Sequence, residues 1–91
     1  MRTDLRRVDG NALGGALSDL FAADLTMATT TCVGCRAVAP LATLHVYLDA
    51  PGVVARCPGC DAVLLRLVRH ETRAWLDLTG IKVLDIPLGP P

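Results

Sequence analysis

The sequence predicts a small α+β domain: one N-terminal amphipathic helix and an antiparallel sheet of about five strands, gathered around four cysteines. Three observations predict it. Apolar residues recur at three- and four-residue spacing from Asp9 to about Asp24. Five later stretches, residues 37–48, 53–56, 62–69, 73–78 and 81–86, have strand character and are separated by turn residues. The cysteines fall in two Cys-x-x-Cys pairs, Cys32/Cys35 and Cys57/Cys60, at the two ends of a predicted hairpin.

A chain of 91 residues makes one domain with one core, and a core that small commonly needs a staple. Residues 1–8 read as a polar lead-in. Residues 9–25 read as the helix, with Leu13, Leu17, Leu20 and Phe21 on its apolar stripe and Ser18 and Asp19 opposite. Asp9 or Asn11 supplies the cap. Gly14 and Gly15 weaken this helix by about 1 kcal/mol each relative to Ala, which marks them as candidates for close approach to another backbone. The helix has two uses open to it: covering its own sheet, or docking on a protein partner or a second copy of the chain.

Residues 26–86 make the β domain. Threonine-rich 26–31 is an extended lead into the first cysteine pair. In 37–48, Leu44, Val46 and Leu48 share one face and His45 and Tyr47 the other. Asp49-Ala50-Pro51-Gly52 is a turn, because Pro presets φ and Gly tolerates positive φ. The apolar run from Leu64 to Val68 suits a central strand covered on both sides. Residues 87–91 form a proline-rich tail, since proline cannot donate to a ladder.

Residues 1–30 carry no secretory signal and no apolar run is long enough for a membrane span, so the expected compartment is the cytoplasm. Disulfides are rare there, which favours metal over two bridges. Two Cys-x-x-Cys turns separated by 21 residues are the ribbon-type pattern for one tetrahedral Zn2+ held by Cys32, Cys35, Cys57 and Cys60. Each turn has glycine before its second cysteine, where backbone freedom helps. Iron in a rubredoxin-like tetrathiolate site and a dithiol redox pair remain alternatives. A catalytic zinc is disfavoured, because four thiolates leave no open position.

At these residues the chain resembles zinc-ribbon proteins. It is similar in particular to a family of short bacterial proteins of unknown function, through Val8-Asp9-Gly10-Asn11-Ala12-Leu13, Leu20-Phe21 with Asp24 and Thr26, His45-Val46-Tyr47 and Asp49-Ala50-Pro51-Gly52. Arg56-Cys57-Pro58-Gly59-Cys60, Leu64 to Arg69 and Arg73-Ala74-Trp75-Leu76-Asp77 continue the likeness. The resemblance implies a ribbon fold, a cytoplasmic bacterial setting and a role accessory to an oxidoreductase. It implies no established activity.

Other residues have plainer readings. His45 reads as a strand residue and His70 as a turn residue. Arg56, Arg66, Arg69 and Arg73 lie on neighbouring strands, as a solvated face balanced by Asp61, Glu71 and Asp77 or as an anion or acidic-partner site. Arg66 interrupts an apolar strand and must reach the surface or an acidic partner. Trp75 is either core or an exposed anchor. No nucleophile triad, phosphate loop or paired carboxylates appear, so the chain is not expected to be an enzyme. Zero net charge and 3% aromatic residues argue against a nucleic-acid ribbon. The expected function is a non-catalytic zinc-ribbon module in protein–protein interaction, with iron electron transfer as the alternative.

Overall fold

A computed structural model describes residues 7–18, 24–48 and 52–88. Its elements, in chain order, start with β1 (Arg7–Asp9), a 3-10 turn (Gly10–Leu13) and the short helix α1 (Gly14–Ser18). A second 3-10 turn (Leu25–Met27) leads into β2 (Thr29–Cys32) and β3 (Val38–Pro40). A third (Leu41–Thr43) precedes β4 (His45–Tyr47), β5 (Gly52–Arg56), β6 (Val63–His70), β7 (Arg73–Asp77) and β8 (Ile81–Asp85). The strands make two antiparallel sheets, ordered β1-β4-β5-β6-β7 and β3-β2-β8.

The five-stranded sheet matches the expected strand number but not its membership: β1 was not expected, and β8, expected as the fifth strand, pairs with β2 in a separate three-stranded sheet. The reason lies in residues 37–48, expected as one strand. Leu41 and Leu44 are both fully buried and stand three residues apart, a helical spacing that a strand cannot bury on one face. A 3-10 turn satisfies both. It leaves β3 paired with β2 and sends β4 to the other sheet. Leu41 donates its N–H to Ala28 O at 2.8 Å, which fixes the crossing.

The helix expected over 9–25 is shorter. Asp9 does cap it, its carboxylate accepting from Asn11 N at 3.1 Å, but the first turn is 3-10 and α1 is described only to Ser18. Leu20 and Phe21 lie outside the described residues. Leu25 returns in a separate turn capped by Asp24. Close backbone approach belongs to Gly10 rather than to Gly14 or Gly15. A Cβ on Gly10 would stand 1.7 Å from Leu41 O, whereas one on Gly14 would meet only Thr26 Cγ2 at 3.3 Å and one on Gly15 nothing within 4 Å.

Two stretches read as leads are strands. Arg7–Asp9 pairs with Tyr47, Val46 and His45, and Thr29–Cys32 is the central strand of the smaller sheet. Of the turn expected at 49–52, residues 49–51 lie outside the described residues, and Gly52 opens β5 opposite Val68 without a positive φ. Pro90 and Pro91 also lie outside the described residues, while Pro87 and Leu88 have no regular structure.

The core joins Leu13, Leu17 and Leu25 to Leu41, Leu44, Val46, Ala55, Leu65 and Leu67, with Leu84 and Ile86 of the second sheet's side packed against it. β6 does lie inside the sheet, between β5 and β7, but it is not covered on both sides as expected: Arg66 is exposed and Val68 half-buried on its second face. Its register steps from Ala55↔Leu65 to Arg56↔Val63, leaving Leu64 as an extra residue. Leu64 and Leu65 are consequently both buried despite being neighbours. Among the described residues, no helix is long and apolar enough to cross a membrane.

Candidate metal centre

The two cysteine pairs sit on different sheets. Cys32 ends β2 and its turn leads into β3; Cys57 follows β5 and its turn leads into β6. Their backbones repeat one another. Arg36 N donates to Cys32 O at 3.0 Å and Cys32 N to Ala37 O at 2.9 Å. In the second turn Asp61 N donates to Cys57 O at 2.9 Å and Cys57 N to Ala62 O at 2.8 Å. The residue after each pair is left-handed, with φ of 66° at Arg36 and 67° at Asp61. The glycines before the second cysteines are not in that region, which corrects the role expected of them. Gly59 instead donates its N–H to Cys57 Sγ at 3.3 Å.

These two turns bring all four sulfurs within 4.8 Å of one another. Cys32 Sγ and Cys60 Sγ are 3.7 Å apart, and Cys35 Sγ and Cys57 Sγ 3.6 Å. All four are free thiols. A tetrahedron of thiolates about 2.3 Å from a central ion has edges of about 3.8 Å, so the donor set fits one metal ion. In each pair the first cysteine is buried and the second exposed.

Sulfur chemistry varies around the cluster. The N–H of Cys35, aided by that of Gly34 and by the Cys60 and Cys35 sulfurs, outweighs desolvation and brings the Cys32 thiol down from 9.0 to about 7. Cys35 goes the other way. Although the N–H of Ala37 lowers it, the Cys57 sulfur, desolvation and the Cys60 and Cys32 sulfurs raise it to about 11. Deprotonating all four sulfurs at this spacing would set like charges against one another, which a bound cation offsets.

Residues 3–89 match the model of a family of unknown function, DUF6510. The chain belongs to the DUF6510 family. No match is found among curated proteins or among solved structures.

In this DUF6510 chain a third turn supports the cluster. Gly80, just before β8, accepts the N–H of Val33 on its carbonyl at 3.0 Å. A Cβ at Gly80 would lie 1.9 Å from Val63 O and 2.7 Å from Leu64 Cα. Gly80 therefore joins the first cysteine turn to the start of β6, the strand that follows the second, and the sequence marked it only as a turn residue. The left-handed Arg36 and Asp61 were also missed. Their signal is position, since each directly follows the second cysteine of a pair.

Of the remaining candidates, Arg56 adjoins a cysteine turn and the others make different contacts. His45 Nδ1 is 3.5 Å from the Arg7 guanidinium, and His70 meets Trp75 edge to face at 6.4 Å. Arg56 donates to Asp61 O at 2.8 Å and so clasps the second cysteine turn. Arg66 is exposed and stands opposite Asp77, meeting both conditions set for it. The four arginines do not form one face. Arg66 and His70 share a side of β6 and Arg73 stands opposite His70, while Arg69 alternates to the other side. Trp75 is 51% exposed, so it is no core residue of the described chain.

Proposed function

We propose that this chain is a zinc-ribbon module: a non-catalytic protein-interaction domain whose two sheets are fastened by one structural Zn2+ on Cys32, Cys35, Cys57 and Cys60. The observation that carries the reading is the pair of sulfur–sulfur edges, 3.7 and 3.6 Å, contributed by cysteines from different turns. Four thiolates complete a tetrahedral shell, so zinc there supplies cross-linking rather than a reactive water. Such a site needs reduced thiols, which fits a cytoplasmic setting. A protein partner is the interaction this reading expects. An oxidoreductase component is the first class to test, on the resemblance alone.

Elemental analysis of protein purified without added metal tests this. One zinc per chain and no visible absorption support it. One iron per chain, with the visible absorption of an iron tetrathiolate, replaces it with an electron-transfer role. Absence of any bound metal removes both.

A further inference from the structure

In the five-stranded sheet β7 is an edge strand, bonded to β6 on one side only. An edge presents a row of backbone donors and acceptors that another strand can complete. Among the described residues, no backbone hydrogen bond links Arg73–Asp77 to anything except β6. A groove of about 690 Å³ lies against this strand, with Arg66, Val68, Trp75, Leu76 and Asp77 among its lining.

The sequence of that edge decides its occupant. Arg73-Ala74-Trp75-Leu76-Asp77 is positive at one end, apolar in the middle and negative at the other. Turned antiparallel upon itself about Trp75, it sets Arg73 of each copy opposite Asp77 of the other, twice, and stands the two tryptophans side by side. Opposite charges and paired aromatics are the favourable cross-strand combinations. The ends are also prepared. Asp77 Oδ1 is held by Thr79 N at 2.9 Å and Thr79 Oγ1 at 2.7 Å, and the Arg73 guanidinium lies 6.0 Å from the Trp75 ring centroid.

The other edges are shorter or less complementary; β1, Arg7-Val8-Asp9, repeats the charge pattern but over three residues only. β1 and β3 have three residues each, and β3 ends in Pro40. β8 carries Lys82, a residue that blunts edges, and turned about Val83 it sets Lys82 against Leu84 and Ile81 against Asp85.

We propose that β7 is a homodimerisation edge, joining two copies of this chain into one continuous sheet through antiparallel β7–β7 pairing. This names the partner of the interaction module proposed above and does not require the bound ion to be zinc. Five residues a side make an interface at the small end of the range, so the dimer is a reversible one, with a dissociation constant on the order of 10 µM.

Sedimentation equilibrium of the metal-loaded chain tests this, read together with the emission of Trp75, the only tryptophan. The expected result is a concentration-dependent rise from 9.6 kDa toward twice that mass, with a blue shift of the emission. Arg73→Glu and Asp77→Arg should each weaken self-association at least tenfold, and an equimolar mixture of the two should restore it, because each then faces its opposite charge. Metal content of one ion per chain confirms that a variant is folded. Should Asp77→Arg lose its metal, Arg73→Glu alone decides, since the described contact of its side chain is the Trp75 ring. A chain that stays monomeric near 1 mM overturns the proposal, as does a dimer indifferent to Arg73→Glu. A monomer that takes a strand from a different protein on this edge overturns it in favour of strand addition by a foreign segment.

Discussion

Val33 and Gly80 are joined by a backbone hydrogen bond of 3.0 Å, although 46 residues separate them in the chain. Through it the turn before β8 reaches the first cysteine pair, while the Cα of Gly80 rests on the Val63–Leu64 backbone beside the second. A small residue at that point lets two sheets close around the sulfurs.

Gly80→Ala should therefore destabilise the metal-loaded protein by about 3 kcal/mol, the upper end for overpacking, because the obstacle is backbone on both sides. Gly34→Ala is the control. Its Cβ would meet Cys32 Sγ at 3.8 Å and Cys60 Sγ at 4.0 Å, ordinary contact, and should change stability by less than about 1 kcal/mol. Urea unfolding of both variants with metal retained measures the contrast. Equal losses would refute the role given to Gly80.

Metal removal should separate the sheets rather than melt the chain evenly. The sulfurs are a joint between β2–β3 on one sheet and β5–β6 on the other, and structural zinc supplies about 10–16 kcal/mol of apparent binding energy in small domains. The larger sheet contributes Val46, Ala55, Leu65 and Leu67 to the shared core, whereas β2 contributes Cys32, so more of the buried apolar contact lies on the larger sheet. After chelation, amide exchange should accelerate first over Thr30–Cys32 and later over Ala55 and Leu65. Cys57→Ser should give the same order without chelator. Simultaneous loss across both sheets would contradict it.

The cysteine cluster was legible from sequence because Cys-x-x-Cys spacing is a local rule that needs no knowledge of the rest of the chain. The order β4 to β8 was legible for a similar reason, since apolar runs there are separated by strong turn residues. Arg7–Asp9 was not, because a single apolar residue, Val8, between two charged ones on a sheet edge is too short to show a periodicity. Residues 37–48 misled because Leu44 and Val46 do alternate, while Leu41 and Leu44 obey a helical spacing that governs the crossing. Gly80 was hidden for a different reason. Its neighbours are set by tertiary approach, and a glycine in a Thr-Gly turn looks the same whether or not a backbone lies against it.

Arg36→Gly should stabilise the metal-loaded protein by about 0.5 kcal/mol. Arg36 sits at φ 66°, where a residue with a Cβ is strained and glycine is not, and the larger entropy of glycine in the unfolded chain offsets part of the gain. Asp61→Gly should gain less, because Asp tolerates this region better and Asp61 also stands 3.9 Å from the Arg56 guanidinium. The urea midpoint checks both. A loss of stability in Arg36→Gly would mean that the side chain makes a contact outweighing the strain.

Acid should act in two separable steps. Thiols unbound to metal hold protons at neutral pH and the metal-bound thiolates do not, so the unfolded chain binds more protons and stability falls as pH falls. Metal leaves in that first step. Asp77 belongs to the second. Its carboxylate accepts the Thr79 N–H and hydroxyl and faces Arg66, which together hold its pKa below the ordinary 3.8. A depressed folded pKa contributes stability that is complete above the unfolded value and is lost only as pH falls through the folded one, below the range of metal release. Asp77→Asn should therefore lower the urea midpoint at pH 7 and leave the pH of half-maximal metal release where it was. A shift of that release midpoint in Asp77→Asn would show that the carboxylate is coupled to the sulfur cluster through the turn it holds at Thr79, next to Gly80.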